Sequence, residues 1–213
     1  MPTPRGRLIT IEGIDGSGKT TLASGLVEAL RARVGEVELL REPGGVVASE
    51  RIRELVRDPG LELCDRAEAL LYAAARAQLV AERLVPLLKA GTWVVLDRFV
   101  DSSLAYQGAG RALGIEAVRA INLFATVGLE ADRTLLLRVD PALGRTRAAE
   151  RAQAPDRLEL EGAEFFERIA AGYDALARAE RVRVRVIDAS EPAERVLELA
   201  LSALSDVMSA AAR

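Results

Sequence analysis

The sequence predicts an α/β protein in which a central parallel sheet of about five strands lies between two layers of helices. Short apolar segments alternate along the chain with longer segments whose apolar residues recur at helical spacing. The short segments are almost wholly apolar, as expected for strands covered by helices on both faces. Because no repeat or linker breaks this alternation, residues 1–213 are predicted to form one domain.

In the first part of the chain, strands and helices are separated by glycine-rich turns. Arg7–Glu12 is an apolar segment that enters such a turn, which is typical of a buried strand. The helix predicted over Lys19–Arg33 places three leucines on one face at a spacing of four residues. Val37–Leu40 is a second apolar strand, and it ends at the turn Glu42–Gly45.

The middle of the chain is predicted to hold the longest helix. Asp65 is expected to be its N-cap because Glu68 follows three residues later, and the helix should extend to about Lys89. The apolar segment Thr92–Leu96 then predicts a third strand, and a further helix is predicted around Ile115–Val127.

The last part of the chain continues the alternation around an arginine-rich segment. The strand Thr134–Val139 runs into Asp140-Pro141, a pair that typically opens a helix. Arg145–Arg157 contains four arginines, and we expect a mobile loop that acts as a lid over residues 143–158. The remaining predicted elements are the helix Glu164–Arg178, the strand Val182–Ile187 and a final helix after Ser190.

Composition excludes several kinds of function. The formal net charge of -3 argues against a protein that coats a nucleic acid polymer or an anionic membrane. The absence of histidine excludes Ser-His-Asp and Cys-His catalysis and His-ligated zinc. Cys64, the one cysteine, allows no intrachain disulfide. With no run long enough to span a membrane and a short polar start at Met1–Arg7, we expect a cytoplasmic protein.

One segment matches the G-x-x-x-x-G-K-[ST] pattern of a P-loop at every fixed position, between a predicted strand and a predicted helix. Its glycines let successive backbone N–H groups turn inward and surround phosphate oxygens at a helix N-terminus. The segment therefore predicts a site for the phosphates of ATP. The residues assigned to this ATP site are Gly13, Ile14, Asp15, Gly16, Ser17, Gly18, Lys19, Thr20 and Thr21.

Three side chains in this region have the chemistry that Mg-ATP requires. Lys19 is predicted to reach the β- and γ-phosphates, and the Thr20 hydroxyl is a candidate ligand for Mg²⁺. Asp97 follows an apolar strand, whose carboxyl end would lie beside the P-loop in a parallel sheet. Thr20 and Asp97 are therefore the predicted Mg²⁺ ligands.

Arginines supply the positive charge that phosphoryl transfer needs. Arg98, directly after Asp97, is predicted to bind two oxygens of a phosphoryl group, and the lid arginines to close over ATP. A phosphate acceptor suits a protein without histidine, because a phosphate monoester is already largely ionised at neutral pH and needs no general base. The residues thus predict a phosphotransferase.

Five segments occur in a specific combination that includes Arg-Glu-Pro-Gly-Gly, Asp-Arg-Phe and Ala-Tyr-Gln-Gly. They are Ile11–Thr21, Arg41–Gly45, Tyr72–Gln78, Asp97–Arg98 and Ala105–Gly108. In these segments, and over nearly its whole length, the chain resembles bacterial thymidylate kinases. The resemblance implies a P-loop kinase fold with an arginine-rich lid, transfer of the γ-phosphoryl group of ATP to dTMP in dTTP biosynthesis, and a homodimer.

The resemblance also implies roles for residues around the acceptor. Asp15 is expected near the sugar 3′-hydroxyl, Arg98 on the acceptor phosphate, and Tyr72 stacked on the base. Arg76 is expected to face thymine O4, which disfavours the amino group of cytosine. Tyr106 is expected to flank the sugar and to discourage a 2′-hydroxyl. The other acceptor-site residues are Glu42, Pro43, Ser103, Gln107 and Tyr173.

Position 16 bears on the source of the catalytic arginine. Some thymidylate kinases have an arginine directly after the P-loop aspartate, whereas this chain has Gly16. The resemblance therefore implies that the lid supplies the arginine, with Arg147 and Arg151 as candidates. Arg138 stands where relatives often have an acid. The predicted catalytic residues are Lys19, Arg98, Asp15, Arg147 and Arg151.

Two other interpretations of the residues remain open. A kinase for another small acceptor would share the P-loop and the lid, and would differ only in the acceptor site. A nucleotide-binding switch would share the P-loop, but it usually obtains its arginine from a partner. If the protein is a homodimer, the predicted helices Asp65–Lys89 and Ile115–Val127 are the candidate contact surface.

Overall fold

The computed structural model describes residues 5–150 and 156–211, and the strands of these residues form a five-stranded parallel sheet between helices. The strand order is β2-β3-β1-β4-β5, so that β1 is central. The predicted α/β fold with a parallel sheet is confirmed. The strands are β1 Leu8–Glu12, β2 Val37–Arg41, β3 Trp93–Asp97, β4 Arg133–Arg138 and β5 Val184–Asp188.

Helices and π-helical segments connect the strands and cover the sheet. They are α1 Lys19–Val34, α2 Val47–Arg57, α3 Asp65–Leu79, the π-helical segment Val80–Leu84, α4 Val85–Lys89, α5 Val100–Ser103, the π-helical segment Leu104–Gly110, α6 Ile115–Thr126, α7 Pro141–Ala149, α8 Ala163–Ala179, α9 Ala193–Ala203 and α10 Ser205–Ala211. Over the described part of the chain, no helix combines the length and apolar character needed to cross a membrane.

Two helical stretches are absent from the sequence prediction. The sequence of α2 does contain a helical pattern, because Ala48, Ile52, Leu55 and Val56 recur at helical spacing, and the prediction missed it. The stretch formed by α5 and the segment Leu104–Gly110 is instead buried on almost all sides. This second stretch leaves no one-sided apolar pattern in the sequence.

Two expectations about helix ends are wrong. Asp65 is the first residue of α3 rather than its N-cap, and the flanking residue Cys64 makes no side-chain cap hydrogen bond. The arginine-rich stretch is not a loop at its start, because α7 extends to Ala149 and includes Arg145 and Arg147. The expected cap of α7 is confirmed, since the Asp140 carboxylate accepts a hydrogen bond from the amide of Ala142.

The buried residues of the central strands alternate between two apolar clusters. Ile9 and Ile11 of β1 belong to the cluster that contains α1, whereas Leu8 belongs to the cluster that contains α3 and α4. Val95 and Val94 of β3 are divided in the same way. This alternation has the two-residue period of a strand covered on both faces.

A buried polar network joins the strands where the apolar pattern is interrupted. The hydroxyls of Thr10 and Thr134 lie 2.7 Å apart, and Thr134 donates a hydrogen bond to Asp101 at 3.0 Å. Arg183 donates to both carboxylate oxygens of Asp101, at 2.7 and 2.8 Å. The network therefore ties β1 and β4 to α5 and to the start of β5.

Replacement of Asp101 by alanine should destabilise the fold. The substitution leaves the Arg183 guanidinium without its bidentate partner in a largely buried position, and such losses cost about 3–5 kcal/mol. Urea unfolding of the variant and of the unmodified protein measures the difference. Arg195→Ala, which breaks an exposed ion pair with Glu198, is the control and should change stability by less than about 1 kcal/mol. A similarly small change for Asp101→Ala contradicts the prediction.

Candidate active site

The P-loop connects the carboxyl end of β1 to the start of α1. Gly16 and Gly18 have φ angles of 77° and 90°, which residues with a Cβ atom rarely adopt. Gly18 directly precedes α1, so the loop leads into a helix N-terminus, where unpaired N–H groups and the helix dipole favour an anion. The local geometry is suited to phosphate oxygens.

The Lys19 ammonium group is buried within the P-loop. Its Nζ donates hydrogen bonds to the carbonyl oxygens of Gly13, at 3.1 Å, and Ile14, at 2.7 Å. Burial, followed by the positive charge of Arg98, lowers the pKa of Lys19 from 10.5 to about 8. Negative charge from a bound nucleotide favours the protonated form, so the lysine would be a full cation when phosphates are present.

Thr20 and Asp97 are brought together as the sequence predicts. The Thr20 hydroxyl donates a hydrogen bond to Oδ2 of Asp97 at 3.3 Å. The other carboxylate oxygen of Asp97, Oδ1, is buried and has no hydrogen-bond partner among the described residues. An unpaired carboxylate oxygen beside a hydroxyl fits Mg²⁺, which binds oxygen ligands and completes its shell with water and phosphate.

Arg98 links the P-loop to the end of β3. Its Nη2 donates to the Asp15 carboxylate at 2.6 Å, and its Nη1 donates to the Gly13 carbonyl and to the Ser102 hydroxyl, both at 3.1 Å. Arg98 has a φ angle of 69°, which is uncommon for a residue other than glycine. Such backbone strain is typical of functional sites, where the surrounding contacts maintain it.

The P-loop and most of the predicted acceptor residues face one cleft of about 400 Å³. Lys19 and Thr20 of the P-loop line the same cleft as Arg98, Tyr72 and Arg76. The sequence-predicted residues that line the cleft are Asp15, Gly16, Gly18, Lys19, Thr20, Thr21, Glu42, Pro43, Tyr72, Arg76, Asp97, Arg98, Ser103, Tyr106, Gln107 and Arg147.

Arg76 is held rigidly at the floor of the cleft. Its side chain is 2% exposed, and it donates to Glu42, to the Ser103 hydroxyl at 2.9 Å, to the Phe99 carbonyl at 2.9 Å and to Asn122. Burial, partly offset by Arg76, raises the pKa of Glu42 to about 7. The second carboxylate oxygen of Glu42 is buried and has no hydrogen-bond partner among the described residues.

Other predicted acceptor residues also have fixed positions. The Tyr106 hydroxyl donates to Asp15 at 2.8 Å, and the Gln107 amide donates to the buried carboxylate of Glu68 at 2.7 Å. Tyr72 projects from α3 and lines the cleft, and burial followed by the charge of Glu68 raises the pKa of its hydroxyl. Two helical stretches, α3 and the segment Leu104–Gly110, thus contribute to one wall.

Tyr173 is the predicted acceptor residue that the structure does not bring into this cleft. It is 4% exposed, and its hydroxyl donates to the Glu12 carboxylate at 3.0 Å and lies 3.0 Å from the Ser102 hydroxyl. Burial, followed by the charge of Asp101, raises the pKa of Glu12 to about 7. Tyr173 therefore lies in a layer behind Arg98, and its contact with the acceptor stays a prediction.

The lid arginines occupy different environments. Arg147 lines the cleft, and its Nη1 donates to the carbonyl oxygen of Ala189 at 2.8 Å. Arg157 donates to Glu68 at 2.6 Å and to the Val56 carbonyl at 3.2 Å, and its closure over ATP stays a prediction. Arg151, the other candidate for the catalytic arginine, lies outside the described residues.

The lid helix α7 packs directly against the P-loop through two glycines. A Cβ atom at Gly16 would lie 2.0 Å from the carbonyl oxygen of Gly144, and one at Gly144 would lie 2.7 Å from Cδ1 of Ile14. No side chain fits between the two backbones. The structure therefore gives a steric reason for glycine at position 16.

Sequence reasoning missed two arginines of the cleft because it missed α2, and it missed a third at the end of β2. Arg41, Arg53 and Arg57 line the cleft, and Arg53 donates to the carbonyl oxygen of Pro43 at 2.9 Å. Burial, followed by the charges of Arg57 and Arg41, lowers the pKa of Arg53. The spacing of four residues between Arg53 and Arg57 was the available signal, since it places both on one side of a helix.

A parallel sheet with a P-loop after its central strand, a paired threonine and aspartate, and an arginine-lined cleft define a P-loop phosphotransferase. The family model described as thymidylate kinase matches residues 11–200. The chain is 47% identical over 196 residues to the thymidylate kinase of Lactobacillus delbrueckii subsp. bulgaricus, covering 91% of this chain and 92% of the relative.

Two further comparisons agree. The chain is 48% identical over 192 residues to the thymidylate kinase of Deinococcus radiodurans, covering 90% of this chain and 93% of the relative. The crystal structure of thymidylate kinase from Ehrlichia chaffeensis superposes with a TM-score of 0.75 at 30% identity, covering 94% of this chain and 99% of that chain. The protein belongs to the thymidylate kinase family and is an enzyme.

Replacement of Gly144 by alanine tests the contact between α7 and the P-loop. Alanine favours the helix itself by about 1 kcal/mol, whereas its methyl group would press on Ile14 and on the carbonyl oxygen of Asp15. We expect kcat with ATP and dTMP to fall about tenfold or more, since small displacements of catalytic groups cost that much. The melting temperature should fall by a few degrees at most, because overpacking costs about 1–3 kcal/mol and the gain in helix propensity offsets part of it.

The exposed residue Thr146, on the same helix, supplies the control, because Thr146→Ala should keep kcat within about twofold. Steady-state kinetics and thermal unfolding measure kcat and the melting temperature of both variants. An unchanged kcat in Gly144→Ala shows that close packing of the lid helix on the P-loop is not required for turnover.

Proposed function

We propose that the protein transfers the γ-phosphoryl group of ATP to dTMP, giving dTDP and ADP for dTTP synthesis. The observation that carries this proposal is the single cleft in which the P-loop, Arg98 and the side chains of Tyr72 and Arg76 meet. The names of the relatives, which match over nearly the whole chain, support the choice of dTMP.

On the ATP side, the P-loop amides and Lys19 would bind the β- and γ-phosphates. Thr20 and Asp97 would hold Mg²⁺, as the unpaired Oδ1 atom of Asp97 supports. When bound, Mg²⁺ neutralises negative charge on the ATP phosphates. The protein's own contribution is to fix these groups before the nucleotide arrives, so that little reorganisation accompanies transfer.

On the acceptor side, Arg98 would bind the phosphate of dTMP. Its guanidinium already has an anionic partner, Asp15, at 2.6 Å, and a phosphate dianion competes for the same N–H donors. Asp15, which also accepts from the Tyr106 hydroxyl, would contact the sugar 3′-hydroxyl. Arg53 adds positive charge on the same wall, and a bound anion would relieve the repulsion from its arginine neighbours.

The base would lie between Tyr72 and the floor formed by Arg76 and Ser103. Arginine can only donate hydrogen bonds, so the fixed positive charge of Arg76 favours a carbonyl oxygen, as in thymine, over the amino group of cytosine. Gln107 would contact the base edge, and Tyr106, held by Asp15, would limit the space at the sugar 2′ position.

A lid arginine would stabilise charge on the transferred phosphoryl group. Arg147 supports this role because it lines the cleft beside the P-loop, while Arg151 remains the alternative. No general base is needed, since the acceptor phosphate attacks in its ionised form and loses no proton. Catalysis then depends on positioning and on positive charge at the transferred group.

An assay of ADP formation with Mg-ATP tests the function. We expect selective turnover with dTMP, and little with CMP, UMP, AMP or thymidine. Lys19→Ala should lower turnover by more than about tenfold, because the cation at the β- and γ-phosphates is lost. Preferred turnover of CMP or thymidine would refute the acceptor assignment. Failure with every acceptor would leave a nucleotide-binding switch as the better explanation.

We propose that the enzyme is a cytoplasmic homodimer, since its substrates are cytoplasmic metabolites. An exposed apolar surface on α3 and α6 supports the dimer: Phe124 and Val127 are 88% and 90% exposed, and Leu70 and Leu123 extend the surface. Exposed aromatic and aliphatic groups concentrated in one patch mark protein interfaces.

Phe124→Arg should convert the dimer to a monomer, because a charge at the centre of an apolar interface cannot be paired when the two copies meet. Light scattering coupled to size-exclusion chromatography measures the mass. The matched control is Val182→Arg, which changes a residue that is 74% exposed outside α3 and α6 and should not alter the mass. A monomeric unmodified protein, or a dimeric Phe124→Arg variant, contradicts the proposed interface.

A further inference from the structure

Glu12 is a buried carboxylate to which the reaction described above assigns no role. It is the last residue of β1, it has no exposed surface, and it lies behind Arg98 rather than in the cleft. Oε1 accepts a hydrogen bond from the amide of Phe99 at 2.7 Å. Oε2 accepts from the hydroxyls of Ser102, at 2.6 Å, and Tyr173, at 3.0 Å.

We propose that Glu12 is a positioning residue that holds Arg98 in the conformation that binds the acceptor phosphate. The inference rests on the role proposed for Arg98. Glu12 acts through two routes, one through the backbone that follows Arg98 and one through the hydroxyl of Ser102.

The backbone route fixes two consecutive amides. The amide of Arg98 donates to the carbonyl oxygen of Ile11 at 3.0 Å, and the next amide, that of Phe99, donates to Glu12. Between them lies the Arg98 residue with its φ angle of 69°. Because this left-handed conformation is unfavourable for a residue with a side chain, it persists only where neighbouring contacts maintain it. Glu12 supplies one of these contacts.

The side-chain route depends on the direction of the hydrogen bond between Ser102 and Glu12. When Glu12 is ionised, its carboxylate can only accept, so Ser102 donates its hydroxyl proton to Glu12. The lone pairs of the Ser102 oxygen are then available to Arg98, whose Nη1 donates to it at 3.1 Å. An uncharged amide at position 12 would present N–H donors to the Ser102 and Tyr173 hydroxyls, and would disturb this order.

The proposal predicts that loss of Glu12 affects binding of the acceptor phosphate but not binding of the base and sugar. If Glu12 acts through Arg98, its loss weakens only the grip on the acceptor phosphate. Thymidine lacks that phosphate and so reports on the base and sugar contacts alone. A general structural role would weaken dTMP and thymidine together, because both use the same cleft.

The test is the binding of dTMP and of thymidine to Glu12→Gln, measured by titration calorimetry and by competition. We expect the affinity for dTMP to fall at least tenfold and that for thymidine to stay within twofold. Thr10→Val is the matched control, since it removes a buried hydroxyl from the same strand that contacts Thr134 and not Arg98. It should leave both affinities within twofold.

Equal weakening of both ligands by Glu12→Gln, or no weakening of either, overturns the proposal. If Glu12→Gln does not fold, Ser102→Ala isolates the side-chain route, and unchanged binding of dTMP by that variant also overturns it. Arg98→Ala separates this inference from the proposed function. Weaker dTMP binding in Arg98→Ala but not in Glu12→Gln refutes only the positioning role, whereas unchanged dTMP binding in Arg98→Ala refutes the role of Arg98 itself.

Discussion

The ion pair between Arg98 and Asp15 is the interaction on which the arrangement of the site depends. It connects the loop after β1 to the residue after β3, two neighbouring strands whose carboxyl ends meet at one edge of the sheet. Before an acceptor phosphate binds, this pair sets the separation between the phosphate-binding loop and the acceptor side of the cleft. In-line transfer between two phosphates requires such a separation, because the reacting atoms must approach within about 3–3.5 Å.

Positive charge is concentrated at the cleft although the whole chain carries a net charge of -3. Arg53 and Arg57 of α2 contribute to it together with Arg98 and Lys19. Buried or crowded cations are unfavourable alone, as the lowered pKa of Lys19 shows. Anionic substrates remove this penalty. The positive charges therefore lower the stability of the empty protein, but they contribute to the binding of two nucleotides.

The contact between Gly16 and Gly144 fixes the position of the lid helix on the P-loop by steric fit rather than by charge. Two backbones approach so closely that neither position has space for a Cβ atom. An arginine in the P-loop and a lid helix seated at this distance are mutually exclusive. The packing of α7 therefore gives a steric reason for glycine at position 16 of this chain.

The sequence by itself determined the P-loop, the parallel sheet and the pairing of Thr20 with Asp97, because glycine positions, strand periodicity and strand ends are local or repeating signals. Only the tertiary structure placed Tyr173 behind Arg98 and Arg157 on Glu68. Tyr173 and its buried acceptor Glu12 are 161 positions apart in the sequence. Arg157 and its buried acceptor Glu68 are 89 positions apart. A buried carboxylate binds whichever donors the packing brings to it, and no local pattern in the sequence specifies that choice.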